Sequence, residues 1–447
     1  MTFDRYEQKK QRLINQLRAD GSASIGLGKR TSNLFRDRQL APKRRLDVSD
    51  VNEVLMINAQ ARWAETEGMT TYADIVDATL PYGLMPTVVP ELKSITIGGA
   101  TTGVGIESSS FRHGLVHEGV LEMEVLLGDG NVVLCTPTNE HQDLFFGFPN
   151  SYGTLGYALK LRFKLAPTKP YVHLTHVRYT DTEAYFGAIA DACREDSDFL
   201  DGTIFTRDEM YLSRGKFVTG APYVSDYTFE NIYYQSIRRR EVDYLHIADY
   251  IWRWDTDWFW CSKHLFVQHP LVRALAGKSR LNSVTYAKIM RWNSKWQLTH
   301  RLSRLLGWRT ESIIQDVDIP IGRAAEFLRF FQNEIGITPI WVCPIRTFEH
   351  STRFALYRLQ PEQLYINFGF WDVKRDRRRQ LPRGYYNRQI ERKVQQLGGM
   401  KSLYSDAYFP VDEFWHIYNK SAYDKLKAKY DPQRRLKNLY EKCVLKH

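Results

Sequence analysis

Residues Thr96–Ser110 read TIGGATTGVGIESSS, with four glycines inside eight residues, threonines between them and serines behind. Glycine lets the main chain come close to a bulky ligand, and exposed N–H and hydroxyl groups can receive a pyrophosphate and sugar hydroxyls. A tight β-bend with no ligand would use the same residues, so this loop alone does not decide the fold. Two phosphate-binding schemes are excluded. No GxxxxGK[ST] occurs, which rules out a P-loop, and no GxGxxG opens a helix, so an ordinary Rossmann fingerprint is not supported.

The flanks decide more. PTVVPELKS (Pro86–Ser94) leads into the loop, and EGVLEMEVLLGDGNVVLCTP (Glu118–Pro137) reads as strand–turn–strand, with Asp129-Gly130 carrying the chemistry of a tight hairpin. DLFF then precedes a second glycine turn, SYGTLG (Ser151–Gly156), and ALKLRFKLAP (Ala158–Pro167) alternates with period two, as a half-buried strand does. Upstream, VNEVLMIN and RWAETEG suggest strands, and TYADIVDATLPYG a helix ending at Gly83. Residues 1–20 have helical spacing and suggest a short exposed helix or arm, while 21–45 are basic, Gly/Ser-rich and loop-like.

A new regime begins near Pro167–Pro170. HLTHVRYT reads as a strand, EAYFGAIADACRED as a helix, and QDVDIPIGRAAEFLRFFQNE as a strand feeding a helix. PIWVCPI and LYINFGFWD read as buried strands, and the tail is helical until Asp431-Pro432 interrupts it. At 447 residues there is room for two or three domains.

The ordered run from Pro86 to Pro167 resembles the FAD-binding domain of the vanillyl-alcohol-oxidase-like (PCMH-type) oxidoreductases. Within that superfamily, GIESSSFRHGLVHE, TPIWVCPI (Thr338–Ile345) and LYSDAYFPVDEFW (Leu403–Trp415) resemble the Δ24-sterol reductase branch, whose bacterial relatives include reductases of methylene-branched fatty acyl chains. The resemblance implies an α+β, two-domain PCMH-type fold. Residues 1–166 would be the FAD-binding domain and 167–402 an α+β substrate (cap) domain, with 403–447 completing the flavin site. It also implies reduction of a C=C bond with NADPH as electron donor, the wider superfamily allowing an alcohol oxidase or dehydrogenase instead. Carried over by position, the FAD contacts are Thr96, Gly98, Gly99, Thr102, Gly103, Gly105, Ile106, Glu107 and Ser108, then Gly153, Thr154 and Gly156. The first pyrophosphate loop corresponds to Lys29-Arg30-Thr31-Ser32-Asn33, with Lys29, Thr31, Ser32 and Asn33 as contacts. That string lacks the histidine of covalent members, so the flavin is expected to be non-covalent. For an acyl substrate, a methyltransferase acting upstream on the same lipid would be implied.

Reducing an isolated alkene takes a hydride and a proton, and the acid must be held protonated within reach of the substrate. Transient positive charge on carbon favours aromatic faces and disfavours nearby Lys or Arg. Tyr404, Asp406 and Tyr408 alternate in LYSDAYF; on a strand they would share a face, and they are the first candidates for this chemistry. A Tyr-rich strand packed into the cap would show the same pattern. Glu91 is a further candidate, with His113, His117 and Glu118 nearby. The two histidines are four apart but lack a partner carboxylate motif, and no metal is expected.

Aromatic residues are abundant (11 Trp, 26 Tyr, 23 Phe), which suits large cores, a flat apolar ligand or a lipid surface. The net charge of +11 favours an anionic partner. From Leu271 to Thr310 there is no Asp or Glu, and basic residues interleave with Trp292, Trp296 and Trp308; a second basic cluster spans 373–393. These stretches read either as solvated faces or as an anionic membrane surface contact. Without a nucleic-acid-binding motif, the charge does not indicate DNA or RNA. DYIWRWDTDWFW (249–260) is dense enough in Trp to wall an apolar tunnel. Five scattered cysteines without CxxC pairing give neither a disulfide framework nor a zinc site and fit a reducing compartment. No signal-peptide h-region and no membrane-spanning apolar run occurs, so a cytoplasmic, peripheral protein is expected. A flavin-free lipid- or membrane-binding protein is the reading from another functional class.

Overall fold

The computed structural model describes residues 2–19, 25–29, 35, 44–296, 308–377 and 381–445, the side chains of 2, 44 and 290–296 excepted. Two antiparallel sheets organise it. The smaller has the strand order Val54–Asn58, Trp63–Glu67, Tyr157–Pro167, Val120–Leu126, Val132–Cys135, with Leu84–Pro86 paired to the far end of the central strand. The period-two run Ala158–Pro167 is thus the central strand, inserted between two hairpins that precede it. The expected hairpin at Asp129-Gly130 is present. Gly130 sits at φ +88°, where only glycine is unstrained, and Asp129 Oδ1 accepts from Asn131 N at 2.9 Å. The predicted helix before Gly83 spans Tyr72–Thr79 and ends in a short 3₁₀ turn, with Gly83 left-handed.

The amino-terminal helix, Thr2–Arg18, is not the exposed arm its charge suggests. Tyr6, Leu13 and Leu17 fall on one side and are buried beside Leu126 and Leu159 of the small sheet. Tyr6 donates to Glu124 (2.8 Å) and Lys9 to buried Glu67 (2.9 Å), so polar contacts also pin the helix down.

The larger sheet has eight strands in the order Val242–His246, Tyr171–Tyr179, Glu209–Val218, Phe199–Thr206, Ile340–Arg346, Leu364–Asp376, Arg309–Pro320, Met400–Lys401. Alternation sorts its residues. Leu200, Ile204, Val342, Ile366, Phe368, Ile313 and Val317 face helices Thr182–Ala192, Ile321–Phe330 and Tyr385–Gln396 and form one core. The intervening positions, among them Asp201, Trp341, Cys343, Asn367, Trp371, Asp316 and Asp318, point the other way, toward the glycine-rich segment and the Trp-dense stretch. A second core runs unbroken from the small sheet to that face.

Candidate functional site

Within Thr96–Ser110, Ile97–Thr102 is a short helix, not a loop; Thr96 caps it by accepting from Gly99 N at 3.2 Å. Gly98, Gly99 and Thr102 therefore lie on this helix, with Gly103 as its C-cap. The segment is packed to the limit of glycine: a Cβ on Gly105 would come within 2.9 Å of Val116 and 3.1 Å of Pro90. The second glycine turn folds against the first. Tyr152 OH donates to Gly103 O at 3.4 Å, and Gly153 and Gly156 have φ of +73° and +144°. Thr154 is buried, its carbonyl accepting from Lys427 Nζ at 2.7 Å.

Two ammonium groups mark these turns. Lys29 Nζ lies 3.9 Å from where a Cβ on Gly99 would stand, and Lys442 Nζ lies 3.4 Å from the corresponding point at Gly153. Ser151 Oγ and Ser405 Oγ are buried without a hydrogen-bond partner among the described residues. Cations beside both glycine segments and buried hydroxyls left over nearby suit the phosphates and sugar hydroxyls of a dinucleotide such as FAD. Thr31, Ser32 and Asn33 lie outside the described residues. Phe35, just beyond them, bonds through its N–H to Tyr404 O at 3.0 Å, tying this part of the chain to the carboxy-terminal segment.

Past Gly105, Ile106 is half-buried and the chain dives under the large sheet. Ser108 O accepts from Leu200 N (2.8 Å), Ser108 Oγ donates to Glu107 Oε1 (2.6 Å), and Cys343 Sγ contacts Glu107 O at 3.1 Å. Glu107 and Glu91 belong to a buried cluster built around Arg253, which sequence reading missed. Arg253 Nη2 is 3.1 Å from Glu91, 3.2 Å from Glu107 and 2.8 Å from Asp201, and hydrogen-bonds the last two. Its guanidinium lies 4.1 Å from the Tyr250 ring centroid. Burial, and then the neighbouring Glu107, push the Glu91 carboxyl well above its usual range. One guanidinium cannot balance three buried anions, so a proton on Glu91 supplies part of the neutralisation.

A wall of aromatic rings leads away from this cluster. Trp341 Nε1 donates to Asp201 at 3.4 Å, Phe259 lies 5.8 Å from Trp341, and Phe259 stacks on Trp371 at 4.2 Å. Trp258 and Phe259 hold left-handed φ of +45° and +59°, a conformation costing bulky residues on the order of 1–3 kcal/mol each. The surrounding packing imposes it: Trp254 and Trp260 are fully buried beside them.

At the far end Trp371 Nε1 donates to Tyr404 OH at 2.9 Å, and the phenol and the buried Asp316 carboxyl lie near enough to shift each other's ionisation. Burial first, and nearby Asp318 second, push Asp316 up to about 7. Asp318, raised to about 6 by burial, accepts from Tyr357 OH and Asn367 Nδ2, both at 2.7 Å. No cation among the described residues is one of the groups that shift Asp316. Asp316 and Asp318 also escaped sequence reading; their signal was two acids two apart inside the strand run QDVDIP, hence on one face.

The strand expected at LYSDAYF is absent. Only Ser405 makes a bridge, to Phe35, because Glu391 and Lys401 take up the backbone beyond it: Glu391 Oε1 accepts from Tyr408 N at 2.9 Å, and Lys401 Nζ donates to Asp406 O. Tyr404 turns to Trp371, whereas the Tyr408 ring covers Gly384, where a Cβ would come within 2.2 Å of it. Asp406 is half-buried. The structure thus brings Tyr404 into the aromatic wall and sets Tyr408 apart. His117 packs edge-on against Phe354 at 4.3 Å.

Comparison with known proteins supports an FAD binding domain. Residues 7–136 match the model of an FAD binding domain. The chain is 26% identical over 403 residues to the Delta(24)-sterol reductase of Homo sapiens, covering 87% of this chain and 76% of that protein. It is 23% identical over 505 residues to the Delta(24)-sterol reductase of Pisum sativum, covering 98% and 84%. Cytokinin dehydrogenase 7 of Oryza sativa subsp. japonica is 32% identical over 125 residues, 28% of this chain and 24% of that protein.

Proposed function

Because this chain carries a PCMH-type FAD binding domain in an α+β fold, we propose that it is an FAD-dependent reductase of a C=C bond in a lipid. The substrate is a sterol side chain or a methylene-branched fatty acyl chain, and NADPH is the electron donor. The similarity to Delta(24)-sterol reductases along most of the chain supports the reaction class. The observation that carries the reading is Tyr404, a phenol set between an indole N–H and a protonatable carboxyl at the end of an aromatic wall.

FAD, bound non-covalently and reduced, supplies the hydride. The chain's own residues manage the proton. Tyr404 gives its proton to the alkene carbon, Trp371 N–H supports the phenolic oxygen as charge develops there, and Asp316 restores the proton from behind. The faces of Phe259, Trp341 and Trp371 favour positive charge on the substrate carbon and exclude water. Arg253 would oppose that charge, but three carboxyls neutralise it at the other end of the wall.

Anaerobic stopped-flow mixing tests this. NADPH is expected to bleach the flavin, the alkene to restore its colour, and reaction in D2O to place one solvent deuteron on the product. Bleaching by an alcohol alone, with peroxide formed in air, would overturn the reading in favour of an oxidase. Failure of the protein to take up FAD would leave a lipid-binding protein.

A further inference from the structure

The segment that follows the aromatic wall has its polarity inverted. Helix Pro270–Ala276 turns Arg273 inward, where it is buried and bonds both oxygens of Asp257 at 2.7 and 2.9 Å. Leu271 and Leu275, one turn apart on the outward side, are 71% and 83% exposed. Phe266, held at φ +56° where the preceding 3₁₀ turn ends, is 77% exposed, and Val272 and Ile289 are exposed as well. An isolated exposed leucine needs no explanation; several large apolar side chains presented by one short segment do. Lys278, Arg280 and Lys288 are also exposed, Lys278 with Asp226 and Asp249 in its surroundings.

We infer that the outward side of this segment, with exposed Phe266, Leu271 and Leu275 and, further along the chain, exposed Ile289, Lys278, Arg280 and Lys288, docks on an anionic lipid bilayer. Apolar side chains pointing outward among basic residues that outnumber the acids near them, Asp226 and Asp249 beside Lys278, match the acyl boundary and the headgroups together. A second copy of the chain would bring the same positive charge against itself. Lys263 fixes this segment to the substrate side of the fold, donating to Asp372 at 2.7 Å on the strand that carries Trp371. The other basic cluster expected to contribute, 373–393, is partly spent internally: Arg388 pairs with Glu413, and Lys393 with Glu326 at 2.6 Å.

The test is co-sedimentation of the full chain with phosphatidylcholine vesicles, with and without phosphatidylglycerol, at low and high salt and without substrate. Its outcome therefore does not depend on the proposed reaction. Wild type should sediment with the anionic vesicles, and less so in high salt. Leu271→Ser/Leu275→Ser should bind at least tenfold more weakly, because two leucines that would be buried in the bilayer are lost. Lys278→Glu/Lys288→Glu should lose roughly tenfold or more on anionic vesicles only, together with the salt dependence. All four positions are exposed, and an unchanged melting curve verifies the fold. Wild type that stays in the supernatant, or variants that sediment like wild type, would overturn the inference. So would a dimer in sedimentation velocity that the leucine variant dissociates, which would assign the face to a second copy.

Discussion

At one end of the aromatic wall three carboxyls converge on Arg253; at the other, Asp316 and Asp318 sit two residues apart with no cation shifting Asp316. Both clusters are buried on the same face of the same sheet, so burial alone does not distinguish them. They differ in how charge is removed: by a guanidinium plus a proton in the first, by protons and neutral hydrogen-bond donors in the second. A cation-compensated cluster ties its elements together through charge pairing, whereas a proton-compensated one can give its proton away.

The largest effect that would expose this difference is on stability. Arg253→Met should cost about 3–5 kcal/mol, because it leaves Glu107 and Asp201 buried without a counter-charge. A urea-denaturation midpoint measures it, and a variant as stable as wild type would show that the three carboxyls are already protonated. The next effect is catalytic. Tyr404→Phe keeps the ring packing but removes the transferable proton, so alkene reduction should fall roughly 10²–10⁴-fold while flavin reduction by NADPH stays unchanged. Equal loss in both half-reactions would make Tyr404 a packing residue.

The pH dependence is smaller and has a definite sign. Asp316 titrates near 7 when folded and near 3.9 when unfolded, so the native state binds the extra proton between those values. Its contribution therefore favours folding below about pH 4, declines as pH rises to about 7 and is flat above. Asp316→Asn, which cannot ionise, should escape that decline: relative to wild type, its denaturation midpoint should rise between pH 4 and 7 and hold steady beyond. A difference independent of pH would mean that Asp316 is ionised throughout.

What the sequence revealed and what it hid follow the range of the forces involved. Gly130, the period-two strand after Gly156 and the glycine-rich segment were legible because turn chemistry and alternation act over a few residues. The helix Ile97–Thr102 was hidden by its own glycines, which are poor helix formers held here by close packing. The clusters required partners far apart in the chain: Glu91, Glu107, Asp201 and Arg253 meet only once the large sheet folds over the glycine segment. Arg253 was masked further by its neighbours in DYIWRWDTDWFW, where the tryptophans draw attention to a wall and away from the one buried cation within it. LYSDAYF misled for the opposite reason. Its alternation is real in sequence, but Glu391 and Lys401 satisfy the backbone that a neighbouring strand would have needed.

The smallest expected effect is also the sharpest test of the comparison. If Glu91 holds a proton in the native state, Glu91→Gln replaces a neutral carboxyl by a neutral amide of nearly the same shape, and its N–H can still donate toward Glu107. Stability should then change by less than about 1 kcal/mol, and alkene reduction by less than about tenfold. Glu107→Gln should cost more, because its amide oxygen can keep the bonds that Oε1 accepts from Arg253 and Ser108 but the negative charge facing the buried guanidinium is lost. Denaturation midpoints and turnover of the two variants measured side by side decide the matter. If Glu91→Gln instead abolishes alkene reduction while Tyr404→Phe does not, the proton leaves from the Arg253 end of the wall. The neutral cluster around Asp316 is then the structural one.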